Sequence, residues 1–228
     1  MNERELILGR IREALKVPAP LPGHHGDERS SLTSATVPTQ VRQWLPAIGE
    51  SFADRVKAFR RKCSELKADF HALDSEGDCV KLLTDVRDRE QWKRLGAHRG
   101  DLTDFVCSRL GLPICNTDKG YDVAGLESCD AGLTECDALV AQTGSVLLTS
   151  RSAGGRALSV LPPHHVVLAR REQLVRDLPE AFAVLKKKYG SNYPSFISFI
   201  TGPSRTGDIE RILVLGAHGP KKLTICCF

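Results

Sequence analysis

The sequence predicts an α/β layered domain with a mixed sheet, and three observations carry that prediction. Apolar positions recur with helical spacing in the first half, short apolar runs of the buried-strand type crowd the second, and Thr143-Gly144 stands between two such runs as a hairpin turn would. Helices interleaved with strands favour parallel pairing, and the hairpin makes the sheet mixed.

Taken in order, Asn2 is placed to cap a first helix through Lys16, with Glu3 and Glu5 in its first turn and Ile7, Ile11, Ala14 and Leu15 as its apolar stripe. From Val17 to Pro46 the chain changes character: Pro18, Pro20, Pro22, Pro38 and Pro46 flank the cluster Gly23 to Gly26, which reads as a flexible linker. Residues 1–46 are therefore expected to form a helical arm and linker, and residues 47–228 the α/β domain. Ile48, Phe52, Val56, Phe59, Cys63 and Leu66 lie on one helix face. "DFHALD" reads as a strand, and Ser75 with Asp78 as the cap of a helix through Val80 and Leu83. Asp101 to Leu110 forms a helix closed by Gly111, and "LPICN" follows as a strand; Gln91 to Gly100 gives no clear signal. "DALVAQ", "SVLLTS", "ALSVL" and "HVVLA" read as strands. Asp177, Pro179 and Glu180 open a helix with Phe182 and Leu185 on its buried side, closed by Lys186 to Lys188 and Gly190. "SFISFIT", "RILVLG" and "KKLTICCF" complete the sheet, although Ile209, Ile212 and Leu213 also suit a short helix.

A chain of 228 residues can bury a full core, and its net charge of +4 is spread without a long basic cluster, which gives no sign of nucleic acid. No run approaches the roughly 20 apolar residues of a membrane helix, and the start is not a secretory signal, so a cytoplasmic location is expected. The eight cysteines are scattered with no CxxC pair. Adjacent Cys226 and Cys227 would face opposite sides of a strand, so buried reduced thiols are expected and no metal site. His164 and His165 are adjacent and poorly placed to chelate one ion, and His218 stands alone.

The stretch "FITGPSRTGDIE" carries the chemistry that is legible. Gly202, Ser204, Arg205 and Thr206 put turn amides, hydroxyls and a guanidinium at one corner, which suits a phosphate or carboxylate. The same residues also make a plain turn, with Ser204 or Thr206 capping a helix. "SAGGRALSVLPPHH" adds Arg156, and convergence of the two loops would bring two arginines to one cavity. Glu135, Asp137, Asp208 and Glu210 border glycine turns and are the acid or base candidates, with Asp208 preferred. The chain lacks a P-loop, a GxSxG elbow and a dinucleotide fingerprint.

Four segments, "ILGRIREAL", "GLTECDALVAQTGSVLLTS", "GRALSVLPPHHVVL" and "ITGPSRTGDIERILVLGAHGPKKL", resemble the lactate utilization protein C family, also called the LUD domain. The resemblance runs in order along most of the chain, strongest from Gly132 onward. It implies a three-layer α/β/α domain with a mixed, mostly parallel sheet, similar to the sugar-phosphate isomerase and CoA-transferase class. It also implies a subunit of a system that oxidises L-lactate to pyruvate, with iron-sulfur clusters on a partner subunit and no cofactor in this chain. The ligand expected is a small anion, held by Thr143, Gly144, Arg156, Gly202, Ser204, Arg205 and Thr206. Gln142 stands where the family commonly has an acidic residue, and an amide cannot exchange a proton near neutral pH. The rival readings are a stand-alone enzyme acting on a phosphorylated sugar, folate or CoA-type substrate, and a non-catalytic assembly module whose N-terminal arm reaches a partner or a second copy.

Overall fold

The computed structural model describes residues 3–14, 16, 47–206, 214–215 and 219–228. Met1–Arg42 and Gln43–Phe228 form two separate units. In the first unit, α1 spans Glu3–Ala14, and Ile7 in its expected stripe is exposed. The expected linker from Val17 to Pro46 lies outside the described residues.

The second unit opens with α2, Phe52–Leu66, where Ser51 accepts a hydrogen bond from the Asp54 backbone, and Phe59 and Cys63 supply the buried stripe. The strand β1, Asp69–Ala72, leads to α3, Glu76–Glu90, capped by Ser75 as the sequence indicates. The unread stretch before Gly100 contains β2, Leu95–Ala97, a strand of three residues. Then come α4, Asp101–Leu110, β3, Ile114–Asn116, and the short α5, Val123–Glu127. Further strands are β4, Ala131–Glu135, β5, Ala138–Val140, β6, Ser145–Thr149, β7, His164–Ala169, and β8, Leu174–Val175. The last helix is α6, Leu178–Tyr189, followed by β9, Ile197–Ile200, the pair β10, Arg205–Thr206, and β11, Val214–Leu215, and finally β12, Lys222–Cys227.

The mixed character is divided between two sheets. One has six strands in the order β1-β12-β7-β4-β2-β3, every neighbouring pair parallel. The other has four strands, β8-β5-β6-β9, and holds the antiparallel hairpin around Thr143-Gly144. Alternation along the strands decides what packs where. Val166 and Leu168 of β7 join α3 and α4 on one face of the parallel sheet, whereas Val167 and Ala169 join α2 and the four-stranded sheet on the other. Cys226 and Cys227 divide the same way, facing opposite sides as expected. The far side of the four-stranded sheet is covered by α6 through Ala181, Leu185 and Tyr189.

Two elements differ from their expectation. "ALSVL" is not a strand: Ala157–Ser159 is a single 3₁₀ turn. Phe182 is 56% exposed, with its ring 5.6 Å from that of Phe199, because Ala181, Leu185 and Tyr189 take the buried side of α6.

Candidate functional site

A row of paired positions crosses the parallel sheet near the beginnings of its strands: Leu223, His165, Gly132 and Gly96. Paired residues share a face, so this row presents an imidazole beside two positions without side chains. The glycines are required by what lies above them. A Cβ on Gly132 would sit 2.4 Å from the Leu158 carbonyl oxygen, and one on Gly96 would sit 2.6 Å from the Leu126 side chain and 2.9 Å from that of Leu158. Leu158 therefore seats the 3₁₀ turn directly on the sheet, and this is why an apolar run that reads as a strand does not extend. Its neighbours Ser159 and Val160 come to rest next to His165.

These residues form one wall of a cavity of about 280 Å³. A second wall is β9 and the residue before it, where the period of two turns Phe196, Ser198 and Ile200 inward. The third is the Gly202-Pro203-Ser204 turn against Gly219-Pro220, joined by a hydrogen bond from the Ser204 N–H to the Pro220 carbonyl at 2.9 Å. None of the described lining residues is charged.

His165 is the chemically distinctive member. Its Nε2 lies 2.9 Å from Thr134 Oγ1, while its buried Nδ1 has no hydrogen-bond partner among the described residues. Burial, with His164 next in the chain, pushes its pKa down to about 3, so the imidazole is neutral. His164 faces the opposite side and is fully engaged, with Nδ1 3.0 Å from Glu90 Oε2, Nε2 2.8 Å from Thr224 Oγ1, and its ring edge against Trp92. The sequence begins the strand "HVVLA" at His165 and marks the two histidines only as a poorly placed metal pair. The signal that places His165 is the period of two in "HHVVLA", which puts it on the face of Val167 and Ala169.

Of the residues expected to hold a ligand, Thr143, Gly144, Gly202 and Arg205 converge, but on α2. Ser145 Oγ links Thr143 Oγ1 and Thr201 Oγ1, at 2.8 Å each, and ties the hairpin to the following turn. Gly144 has φ 71° and Gly202 φ 86°, and both backbones press on the last turn of α2, where a Cβ would come within 2.7 Å of Lys62 and 3.2 Å of Leu66 respectively. Arg205 donates to the Leu66 carbonyl, giving that helix end the positive charge that its own last turn lacks. Gly202 and Ser204 are the members that also reach the cavity. Arg156 is exposed and stands 5.3 Å from the centroid of the Phe196 ring, at the cavity's margin. Thr206 belongs to β10, and Asp208 and Glu210 lie outside the described residues.

The other two carboxylates have defined partners. Glu135, at the end of β4, accepts from the Leu102 N–H at 2.8 Å and the Thr103 N–H at 3.3 Å, capping α4. Asp137 is buried and accepts from Ser152, Lys188 and Tyr189 at 2.6, 2.6 and 2.7 Å. Burial raises its pKa, but these bonds outweigh that and hold it below the usual carboxylate range. Asp137 is therefore engaged through both carboxylate oxygens, and Glu135 through Oε1.

Together these features define a layered α/β domain with a small, largely apolar cavity wedged between its two sheets. The chain belongs to the LUD domain family. The LUD domain model matches residues 123–226. A protein from Geobacillus kaustophilus called lactate utilization protein C is 37% identical over 193 residues, covering 79% of this chain and 80% of the relative. One of the same name from Shouchella clausii is 29% identical, covering 73% and 76%. A DUF162 family protein of solved structure from Deinococcus radiodurans superposes with a TM-score of 0.63 at 20% identity, covering 78% of this chain and 99% of that one, a likeness of fold.

Proposed function

We propose that this chain is a subunit of an L-lactate utilization system that binds a small organic acid, while oxidation falls to an iron-sulfur partner. The names of its relatives support the pathway. The observation that carries the binding role is the cavity lined both by His165, whose Nδ1 is unpartnered among the described residues, and by the Gly202-Pro203-Ser204 turn. Ser204 supplies a hydroxyl at that wall, and Arg156 the nearby cation for a carboxylate. Assigning the redox centre to a partner is supported by the spacing of the thiols: the eight cysteines are scattered along the chain with no CxxC pair.

Deleting the chain from its host should abolish growth on L-lactate, with restoration by the intact chain. Undiminished growth would refute the pathway assignment. In the purified chain, pyruvate or lactate should raise the unfolding temperature, less so in Arg156→Ala and Ser204→Ala; no response to any organic acid would remove the binding role.

A further inference from the structure

The polarity of the cavity wall restricts what can fill it. An anion enclosed there would lose its hydration with no opposing charge among the described lining residues, and serine hydroxyls alone repay that poorly. The neutral imidazole of His165 offers no positive charge either. A buried ring nitrogen left unpaired is itself costly, and here it belongs to a residue that lines the cavity. Whichever way the Thr134 hydroxyl turns, one role remains open at Nδ1: it donates if Thr134 donates to Nε2, and accepts if Thr134 accepts from it. A carbonyl oxygen satisfies the first arrangement and a hydroxyl satisfies either. Apart from Ser159, Ser198 and Ser204, the other side chains of the described lining, among them Val160, Phe196, Ile200 and Leu223, are apolar. At about 280 Å³ the cavity offers more room than a three-carbon acid fills.

We propose that the cavity takes the uncharged body of its ligand, a branched or extended aliphatic carbonyl or hydroxyl compound, with that oxygen on His165 Nδ1 and any carboxylate left at the margin near Arg156. This rests on the reading of the cavity as the organic-acid site, yet its test is independent of growth on lactate.

Three probes of one skeleton separate the contributions: ketoleucine, isocaproate, which lacks the keto oxygen, and methyl isobutyl ketone, which lacks the carboxylate. Titrated into the full chain carrying isotope-labelled histidine, ketoleucine and the ketone should shift the His165 ring-nitrogen signals while leaving those of His164 in place. Isocaproate should bind about tenfold more weakly than ketoleucine, the usual consequence of one unmade buried hydrogen bond. His165→Leu should erase that difference, and the nitrogen signals of the unaltered chain decide the matter if the variant fails to fold. Equal binding of ketoleucine and isocaproate, unmoved His165 signals, or no binding of either carbonyl probe would overturn the proposal. Binding of ketoleucine by a chain that proves dispensable for growth on lactate would uphold it and refute only the pathway.

Discussion

The neutral state of His165 has a consequence for stability that can be worked out by sign. Its pKa in the folded chain is about 3, against about 6.5 when unfolded, so the unfolded state takes up the proton first as pH falls. Stability is unaffected by this group above about pH 6.5 and declines below it, by about 2 kcal/mol at pH 5. His164, held low by burial despite the opposing pull of Glu90, acts in the same direction. Urea unfolding of His165→Gln between pH 7 and 5 should therefore give a flatter profile than the unaltered chain, and an equally steep one would contradict the buried neutral ring. Arg205 illustrates the other side of residue-scale reading. Its type and its place beside glycines suggest an anion fork, but it meets the Leu66 carbonyl. Arg205→Ala should lower stability by about 1 kcal/mol in denaturant while leaving ligand affinity unchanged. Side-chain type was legible in the sequence; direction depends on α2, far away in the chain.

At the scale of elements, legibility followed local determinism. The capped helices α2, α3, α4 and α6 were readable because Ser51, Ser75, Gly111 and Asp177 act within a few residues of their own helices, although the Ser51 cap moves the start of α2 to Phe52. The strand β4 was missed as an element because "AGLTE" has a glycine and few bulky residues, poor strand material except where another segment must approach closely. That approach also defeats "ALSVL", whose 3₁₀ form depends on the space above Gly132 and Gly96. Gly132→Ala should thus push the Leu158 segment off the sheet, losing about 1 to 3 kcal/mol of stability and the ligand response together. Retention of both on calorimetry would show that this contact does not set the cavity wall.

For the whole molecule, the layered α/β class was visible in the alternation of helix and strand, but the division into two sheets was not. The hairpin at Thr143-Gly144 is local, whereas its assignment to a separate four-stranded sheet depends on pairing with β8 and β9, which are distant in sequence. Because Gln43–Phe228 forms its own unit, a chain shortened by residues 1–42 should unfold in one transition at an unchanged midpoint. A lowered midpoint would show that the arm contributes to the domain. The account as a whole turns on whether the space between the sheets is a ligand site. Thermal unfolding of the full chain with ketoleucine, set beside Val160→Trp, tests this most directly, since Val160 lines the cavity yet is 43% exposed and can accept a larger side chain that blocks the space. The prediction is stabilisation of about 2.7 kcal/mol at a ligand concentration 100 times its dissociation constant in the unaltered chain, and none in the variant. Equal stabilisation of both would place the ligand elsewhere, and stabilisation of neither would contradict the ligand site itself.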